Sequence, residues 1–308
     1  MLSMNKRTLA LLAAFGATTI YGLNHTIAKE VMPNYIQGFG FIQVRLLGAT
    51  AMFWLVSFFI RSQRIDPTDW GRMLLCAFLG MAVNMLSFFK GLEFSTPINS
   101  SVLITMTPIL VFVFSAVLIK EKLLLPRIVG VVLGLIGALV LILFGNELRA
   151  DAPNIPLGNV LFMANTAAFG LYLILVKPLS AKYNSIHLLK WLFLFGLMMS
   201  FPVTYKEFNT VSWSTLPFDA LWRFGFVVVG TTFLTYLLNV YALKQLKAST
   251  IGVFTYLQPL VGIGYAILVG ADAITPSKLV AAAVVLAGVY LVTKRYETKT
   301  PSKPFLRL

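Results

Sequence analysis

The second half of this chain repeats the first. Pro108, in Met-Thr-Pro-Ile-Leu, and Pro259, in Leu-Gln-Pro-Leu-Val, lie 259 − 108 = 151 positions apart. The same offset pairs Leu92 with Leu243, Glu121 with Asp272 and Gly137 with Gly288, and an offset of 148 pairs Gly22 with Gly170 and Lys29 with Lys177. Solenoid repeats run to roughly 20–50 residues, so copies this long are expected to be halves of one object rather than stacked units. The division expected is residues 1–148 for the first copy, 149–295 for the second and 296–308 for a flexible tail.

Hydrophobic residues make up 58% of the chain, charged residues 12%, and the mean hydropathy is +0.84. Soluble domains run near about 45–50% apolar and about 25% charged, and a soluble chain of this size could not hide so much apolar surface. Apolar runs suited to crossing about 30 Å of hydrocarbon cover residues 8–28, 38–60, 70–91, 97–119, 128–144, 157–176, 187–203, 220–243, 250–269 and 278–293. The seventh is short and carries Lys190 near its start. Five spans per copy is an odd number, so the second copy must enter the membrane from the opposite side. The expected fold is therefore an all-α integral membrane protein of ten transmembrane helices in two inverted five-helix repeats around a central cavity. Asn5-Lys6-Arg7 before the first run resembles a signal peptide. Cleavage there would remove one span from a matched pair, so the helix is read as retained.

The formal charge of +14 could point to nucleic acid, but its placement points to topology. With the N-terminus inside, Lys29, Lys90, Arg149, Lys206, Arg223 and Lys278 fall outside and Arg45 within the second span, leaving 18 of the 25 cations on the cytoplasmic side. Both termini are then cytoplasmic, and a bacterial inner membrane is the expected location. The single cysteine, Cys76, permits no internal disulfide.

All eleven acidic residues fall in loops, tails or helix ends. A coupling ion is usually carried by a carboxylate at membrane depth, so facilitated transport, exchange or coupling through a histidine is expected instead. The ionisable groups at some depth are His25, Arg45 and Lys90. In the plain reading Lys90 and Arg45 reach the interface, with Lys90 pairing Glu93 at i,i+3, and His25 is a hydrogen-bonded interhelical contact. In the sharper reading Arg45 and His25 face a cavity and meet an anionic or polar substrate group.

Polar residues form stripes: Thr18, Tyr21 and His25 in the first span, Asn84, Ser87 and Lys90 in the third, and Thr232, Thr235, Tyr236 and Asn239 in the eighth. Such stripes turn away from lipid because an unpaired polar group in hydrocarbon is costly. The candidate substrate-binding set is Tyr21, Asn24, His25, Arg45, Asn84, Lys90 and Thr105 from the first copy. The second contributes Asn165, Tyr172, Thr235, Tyr236, Asn239, Tyr256 and Gln258. Pro108 and Pro259, mid-span in both copies, free the carbonyls of Ile104 and Thr255 and are candidate hinges. Gly130, Gly134 and Gly137 in the fifth span, and Ala281, Ala282, Ala283, Ala287 and Gly288 in the tenth, form small-residue faces that pack on one another or make a dimer face.

This ordered set resembles the EamA-type drug/metabolite transporters. The resemblance rests on Tyr21-Gly22 and Phe169-Gly170, Arg45, the Gly91-Leu92 and Ala242-Leu243 ends, the two midspan prolines, Glu121 with Asp272, and Gly137 with Gly288. It covers about residues 8–294, and no one motif is diagnostic alone. It implies ten helices around a cavity, alternating access by rocking of the repeats, and small metabolites such as amino acids, nucleosides or drugs, often exported. Departures are Tyr21 where tryptophan is common, Arg45 without a second-copy counterpart, and Lys90 where Tyr241 is the usual type, which disfavours a purely hydrophobic drug.

The leading reading is a transporter, an exporter or exchanger, of a small polar metabolite such as an amino acid. A rival in the same class is an antiporter of phosphorylated or nucleotide-linked sugars, which needs cations on the cavity floor. A membrane-embedded lipid-modifying enzyme needs an acid, nucleophile or metal cluster, and His25 and His187 without a deep carboxylate supply none. No catalytic residue, metal or cofactor is expected. The expected partners are a small-molecule substrate and membrane lipids, with no nucleic acid.

Overall fold

The computed structural model describes residues 6–119, 125–144, 151–246, 251, 254 and 257–293. Regular structure among the described residues is helical. The first half contains α1 (Lys6–Lys29), α2 (Gly38–Ser57), α3 (Pro67–Phe94), α4 (Pro97–Ile104), α5 (Thr107–Ile119) and α6 (Leu125–Phe144). The second contains α7 (Ile155–Lys182), α8 (Ser185–Asn209), α9 (Phe218–Gln245), α10 (Leu257–Leu268) and α11 (Pro276–Thr293).

Among the described residues, six helical stretches are long and apolar enough to cross a membrane: α2, α3, α4 with the start of α5, α7, α8 and α9. Two shorter apolar stretches, Ile128–Gly137 and Leu279–Gly288, lie in α6 and α11. α1 is long enough, but Thr18, Thr19, Asn24 and His25 dilute its apolar character.

Two departures from ideal helix follow from local chemistry. The fourth expected span breaks at Thr105 and Met106, whose amides bond back three residues to Val102 and Leu103. Pro108 cannot donate to the Ile104 carbonyl, and the Thr107 hydroxyl takes that carbonyl at 2.7 Å. At Pro108, a candidate hinge from sequence, the helix thus stops and restarts. In the second half Thr255 and Tyr256 lie outside the described residues, and Pro259 sits in the first turn of α10. In addition, α3 and α9 widen into π-helix at Phe78–Val83 and Phe226–Leu234. An offset of 151 carries the first onto residues 229–234, inside the second.

Packing joins the two halves throughout. α1 lies on α9 and α10, α7 lies on α3 and α5, α2 on α8, and α6 on α11. Exchanging the halves maps these pairings onto themselves. Apolar tails give no net drive for helices to associate in lipid, so close approach has to supply it. A Cβ on Gly22 would stand 3.1 Å from the Gln258 carbonyl, and one on Gly262 3.0 Å from the Gly22 carbonyl. Likewise a Cβ on Gly288 would stand 2.5 Å from the Gly130 carbonyl. Gly130, Gly134 and Gly137 of α6 and Ala281 and Gly288 of α11 are therefore packed between these two helices within one chain, while Ala283 and Ala287 of α11 face outward.

Candidate functional site

A pocket with about 560 Å³ of empty space, part of it open to solvent, lies among α1, α2, α3, α7 and α9, with the α4/α5 break and the start of α10 completing its wall. α1 brings Tyr21, Asn24 and His25, whose i, i+3, i+4 spacing places them on one face. Arg45 comes from α2, Asn84 from α3, Asn165 from α7, Tyr236 from α9 and Gln258 from α10. These eight residues were expected from sequence. Their neighbours on the wall, Met85, Phe88, Ile104 and Phe169, were not, because one apolar residue in an apolar helix carries no signal. Thr107 and Thr231 also line it.

Arg45 is 4% exposed. Its Nε donates to Thr232 Oγ1 at 2.7 Å, and its guanidinium carbon stands 4.5 Å from the centre of the Phe89 ring. The Thr232 hydroxyl donates onward to the Val227 carbonyl at 2.7 Å, five residues back, a reach that the π turn makes. No carboxylate among the described residues pairs with Arg45. Its charge is held by a neutral hydroxyl and an aromatic face, an arrangement that leaves the guanidinium's electrostatic demand unmet.

His25 is 1% exposed, and its Nδ1 lies 2.6 Å from Ser100 Oγ. Ser100 Oγ donates to the Pro97 carbonyl at 2.9 Å. The imidazole tautomer sets which of the two donates in this pair. The ring meets Phe88 edge-on at 5.5 Å, with Gln258 beside it. Asn24 is 2% exposed, and its Oδ1 finds no hydrogen-bond donor.

Asn84 and Asn165 are engaged with each other. Asn165 Nδ2 donates to the Asn84 carbonyl at 2.8 Å and Asn84 Nδ2 to the Asn165 carbonyl at 3.3 Å, a reciprocal clasp between α3 and α7. The Tyr236 hydroxyl donates to the Gly80 carbonyl at 3.0 Å, within the π turn of α3, and lies 3.4 Å from Asn84 Oδ1. These three line the cavity while tying its walls together.

The other candidates lie off the wall. The Thr105 hydroxyl donates to the Val102 carbonyl at 2.6 Å, and that of Thr235 to the Thr231 carbonyl. Tyr172 backs the wall, its ring 5.9 Å from Phe169 and 6.3 Å from Tyr236. Asn239 is buried beside Tyr21. Tyr256 lies outside the described residues. Lys90, expected as a cavity cation, is placed near the end of α3, bonded to Glu93 at 2.9 Å and Glu207 at 3.3 Å. Glu93 was legible as an i,i+3 partner, whereas Glu207 is 117 residues away.

The sequence profile of the EamA-like transporter family matches residues 8–143 and again residues 156–294. The "Uncharacterized transporter YetK" of Bacillus subtilis is 24% identical over 188 residues, which are 61% of this chain and 57% of that protein's length. An uncharacterized transporter of Archaeoglobus fulgidus is 24% identical over 277 residues, 90% of this chain and 96% of its own. A protein of known crystal structure shares the fold with a TM-score of 0.64 at 16% identity, over 92% of this chain and 95% of that one.

Proposed function

The chain belongs to the EamA-like transporter family, and from that premise we propose that it carries a small polar metabolite of amino-acid size across the membrane by alternating access. It is a multi-pass membrane protein. The observation that carries the reading is the cavity itself: a largely apolar chamber carrying a set of polar side chains, Arg45 among them, walled by residues of both halves inside a bundle whose outer surface is apolar. Buried polar groups are expensive in hydrocarbon unless they have work to do there.

Two inverted five-helix repeats, with ten spans in all, are the architecture proposed. The double family match, the self-mapping helix pairings and the π turns at equivalent positions support it. The lysine and arginine distribution supports an inner-membrane placement in a bacterium with both termini cytoplasmic. Transport of the substrate down its own gradient, or exchange, fits a cavity wall that carries no carboxylate among the described residues. The sugar-phosphate antiporter is the weaker reading, because Lys90 is committed to Glu93 and Glu207 and Arg45 is left as the cavity's cation. Relatives named as transporters favour transport over lipid modification.

The test is uptake into proteoliposomes of labelled solutes spanning amino acids, hydroxy acids, nucleosides and sugar phosphates, measured against protein-free liposomes. Saturable uptake of at least one solute, lost in Arg45→Ala while the protein still elutes as a folded species, is expected. Failure of the folded protein to move any of them removes the reading.

A further inference from the structure

The charge and hydrogen-bonding inventory of the cavity narrows its ligand beyond "small and polar". Among the described residues, its wall holds one permanent cation, Arg45, and no carboxylate. A buried guanidinium satisfied at Nε by a threonine hydroxyl, with no anion of the protein beside it, calls for one negative charge from the ligand. A doubly charged phosphate would bring more negative charge than the wall balances. A ligand ammonium would enter a chamber that already holds a cation, with no carboxylate to receive it.

The remaining polar groups specify the rest of the ligand. Asn24 Oδ1 is a buried acceptor without a donor. His25 Nδ1 pairs with Ser100 Oγ at 2.6 Å, and Gln258 is a further side-chain hydrogen-bond partner of the ring, so the histidine is engaged by the protein and Asn24 Oδ1 is the α1 acceptor on which the ligand assignment rests. An unpartnered acceptor on α1 and a cation on α2 suit a ligand with a neutral donor, a hydroxyl or amide N–H, next to an anionic group. Met85, Phe88, Ile104 and Phe169 offer the body of the ligand an apolar surface.

We propose that this cavity binds a monoanionic carboxylate that carries a neutral hydrogen-bond donor and an apolar tail, as in a 2-hydroxy acid, and discriminates against the corresponding zwitterionic 2-amino acid and against phosphate esters. The assignment rests on the transport reading only for its consequence, movement of that class of solute. The binding claim stands separately.

The experiment uses the detergent-solubilised full chain and a matched set of probes: 2-hydroxy-4-methylpentanoate, its amide, leucine and glycerol 3-phosphate. Affinities come from the ligand-dependent shift of the thermal midpoint, and uptake from proteoliposomes. The hydroxy acid should bind about tenfold or more tightly than leucine or glycerol 3-phosphate, because placing like charges together in a buried site costs at least that ratio. Arg45→Gln should weaken the hydroxy acid but not its amide, a selectivity that general loosening of the fold would not produce. Asn24→Asp supplies the absent carboxylate and should shift the leucine-to-hydroxy-acid ratio about tenfold toward leucine.

Leucine binding as tightly as the hydroxy acid, no midpoint shift with the hydroxy acid, or an Asn24→Asp protein with unchanged preference would each overturn the assignment. Tight, selective binding without uptake would leave the assignment standing and remove the transport reading. Uptake of leucine or glycerol 3-phosphate without preference for the hydroxy acid would do the reverse.

Discussion

Lys29 and Lys177 occupy corresponding positions in the two halves, and each tethers the first helix of its half to backbone carbonyls at the end of the third. The settings differ. Lys29 is 5% exposed and donates to the Leu92 carbonyl at 2.7 Å, the Glu93 carbonyl at 3.2 Å and the Asp151 carbonyl. Lys177 donates to the Leu246 carbonyl at 3.1 Å and is part-buried.

Around Lys29 the bundle end is laced by charges, most of them shielded, with Asp219 exposed. Glu93 accepts from the Gly38 amide at 2.7 Å, and Glu207 accepts from the amides of Phe39 at 2.7 Å and Gly40 at 3.0 Å. Lys90 bridges the two carboxylates, and Arg223 binds Glu30 at 2.6 Å and Asp219. The opposite end is held by Lys182 with Asp66 at 3.0 Å and Asp69 at 2.7 Å, where Lys182 and Asp66 are exposed and Asp69 is part-buried. Shielding from water strengthens a charged hydrogen bond, and exposure reduces it to little. One end of the bundle is therefore held more firmly than the other, an asymmetry that suits the alternating access proposed above.

The largest expected effect tests the lysines directly. Lys29→Met should destabilise the protein by about 3 kcal/mol, because several carbonyls lose their donor inside the bundle, whereas Lys177→Met should cost about 1 kcal/mol. Thermal or denaturant unfolding in detergent reads the difference, and equal losses would break the comparison.

Next come two glycines. A Cβ on Gly40 would lie 3.0 Å from the Glu207 carbonyl carbon, so Gly40→Ala should cost about 1–3 kcal/mol by pushing α2 off α8. Gly71, near Asp69 at the open end, has nothing within 4 Å of such an atom. Gly71→Ala should be neutral or stabilise by about 0.5–1 kcal/mol, since alanine is the better helix former.

A smaller change, in access rather than stability, is expected for Glu207→Gln. With Cys76 replaced by alanine the chain has no thiol, and Thr107→Cys then reports on the cavity. An impermeant thiol reagent applied from the Lys29 side should label this cysteine faster once Glu207 is neutralised, and applied from the Lys182 side at an unchanged rate. Identical rates from both sides in the parent would erase the asymmetry.

The smallest effect is the pH response of the open end. Hydrogen bonds from Thr68 and from Lys182 hold the Asp66 carboxyl at about 2, and those carboxylates in turn raise the Lys182 ammonium. A depressed carboxyl contributes stability above its unfolded value that is lost as pH falls through its folded value. A raised ammonium contributes below its unfolded value and loses that contribution in strong alkali. The difference between wild type and Lys182→Met should therefore be flat from about pH 5 to pH 9, shrink as acid protonates Asp66, and be small throughout because the groups are exposed. A slope near neutrality would point to another titrating group.

Much of the site was legible in one dimension. Tyr21, Asn24 and His25 share a face because helical periodicity puts them there, and Arg45 stood out because a guanidinium seven residues into an apolar run cannot be left to lipid. The i,i+3 spacing likewise foretold Lys90 with Glu93. Glu207, the second carboxylate that draws Lys90 away from the cavity, was not legible, because that meeting depends on how α3 and α8 pack. The Asn84–Asn165 clasp, 81 residues apart, was hidden for the same reason. So was Thr232 as the partner of Arg45, which depends on a π turn that no residue pattern announced.

By itself, then, the sequence determined that this chain lives in a membrane, that its regular structure is helical, that it belongs with the EamA-like transporters and that Arg45 is its exceptional residue. Each follows from composition, from spacing within one helix or from ordered motifs along the chain. Only the tertiary structure decided which polar groups remain available to a ligand and which are used up holding helices together. A hydrogen bond or ion pair is a contact within about 3 Å, and such distances between remote parts of a chain exist only after the helices have packed.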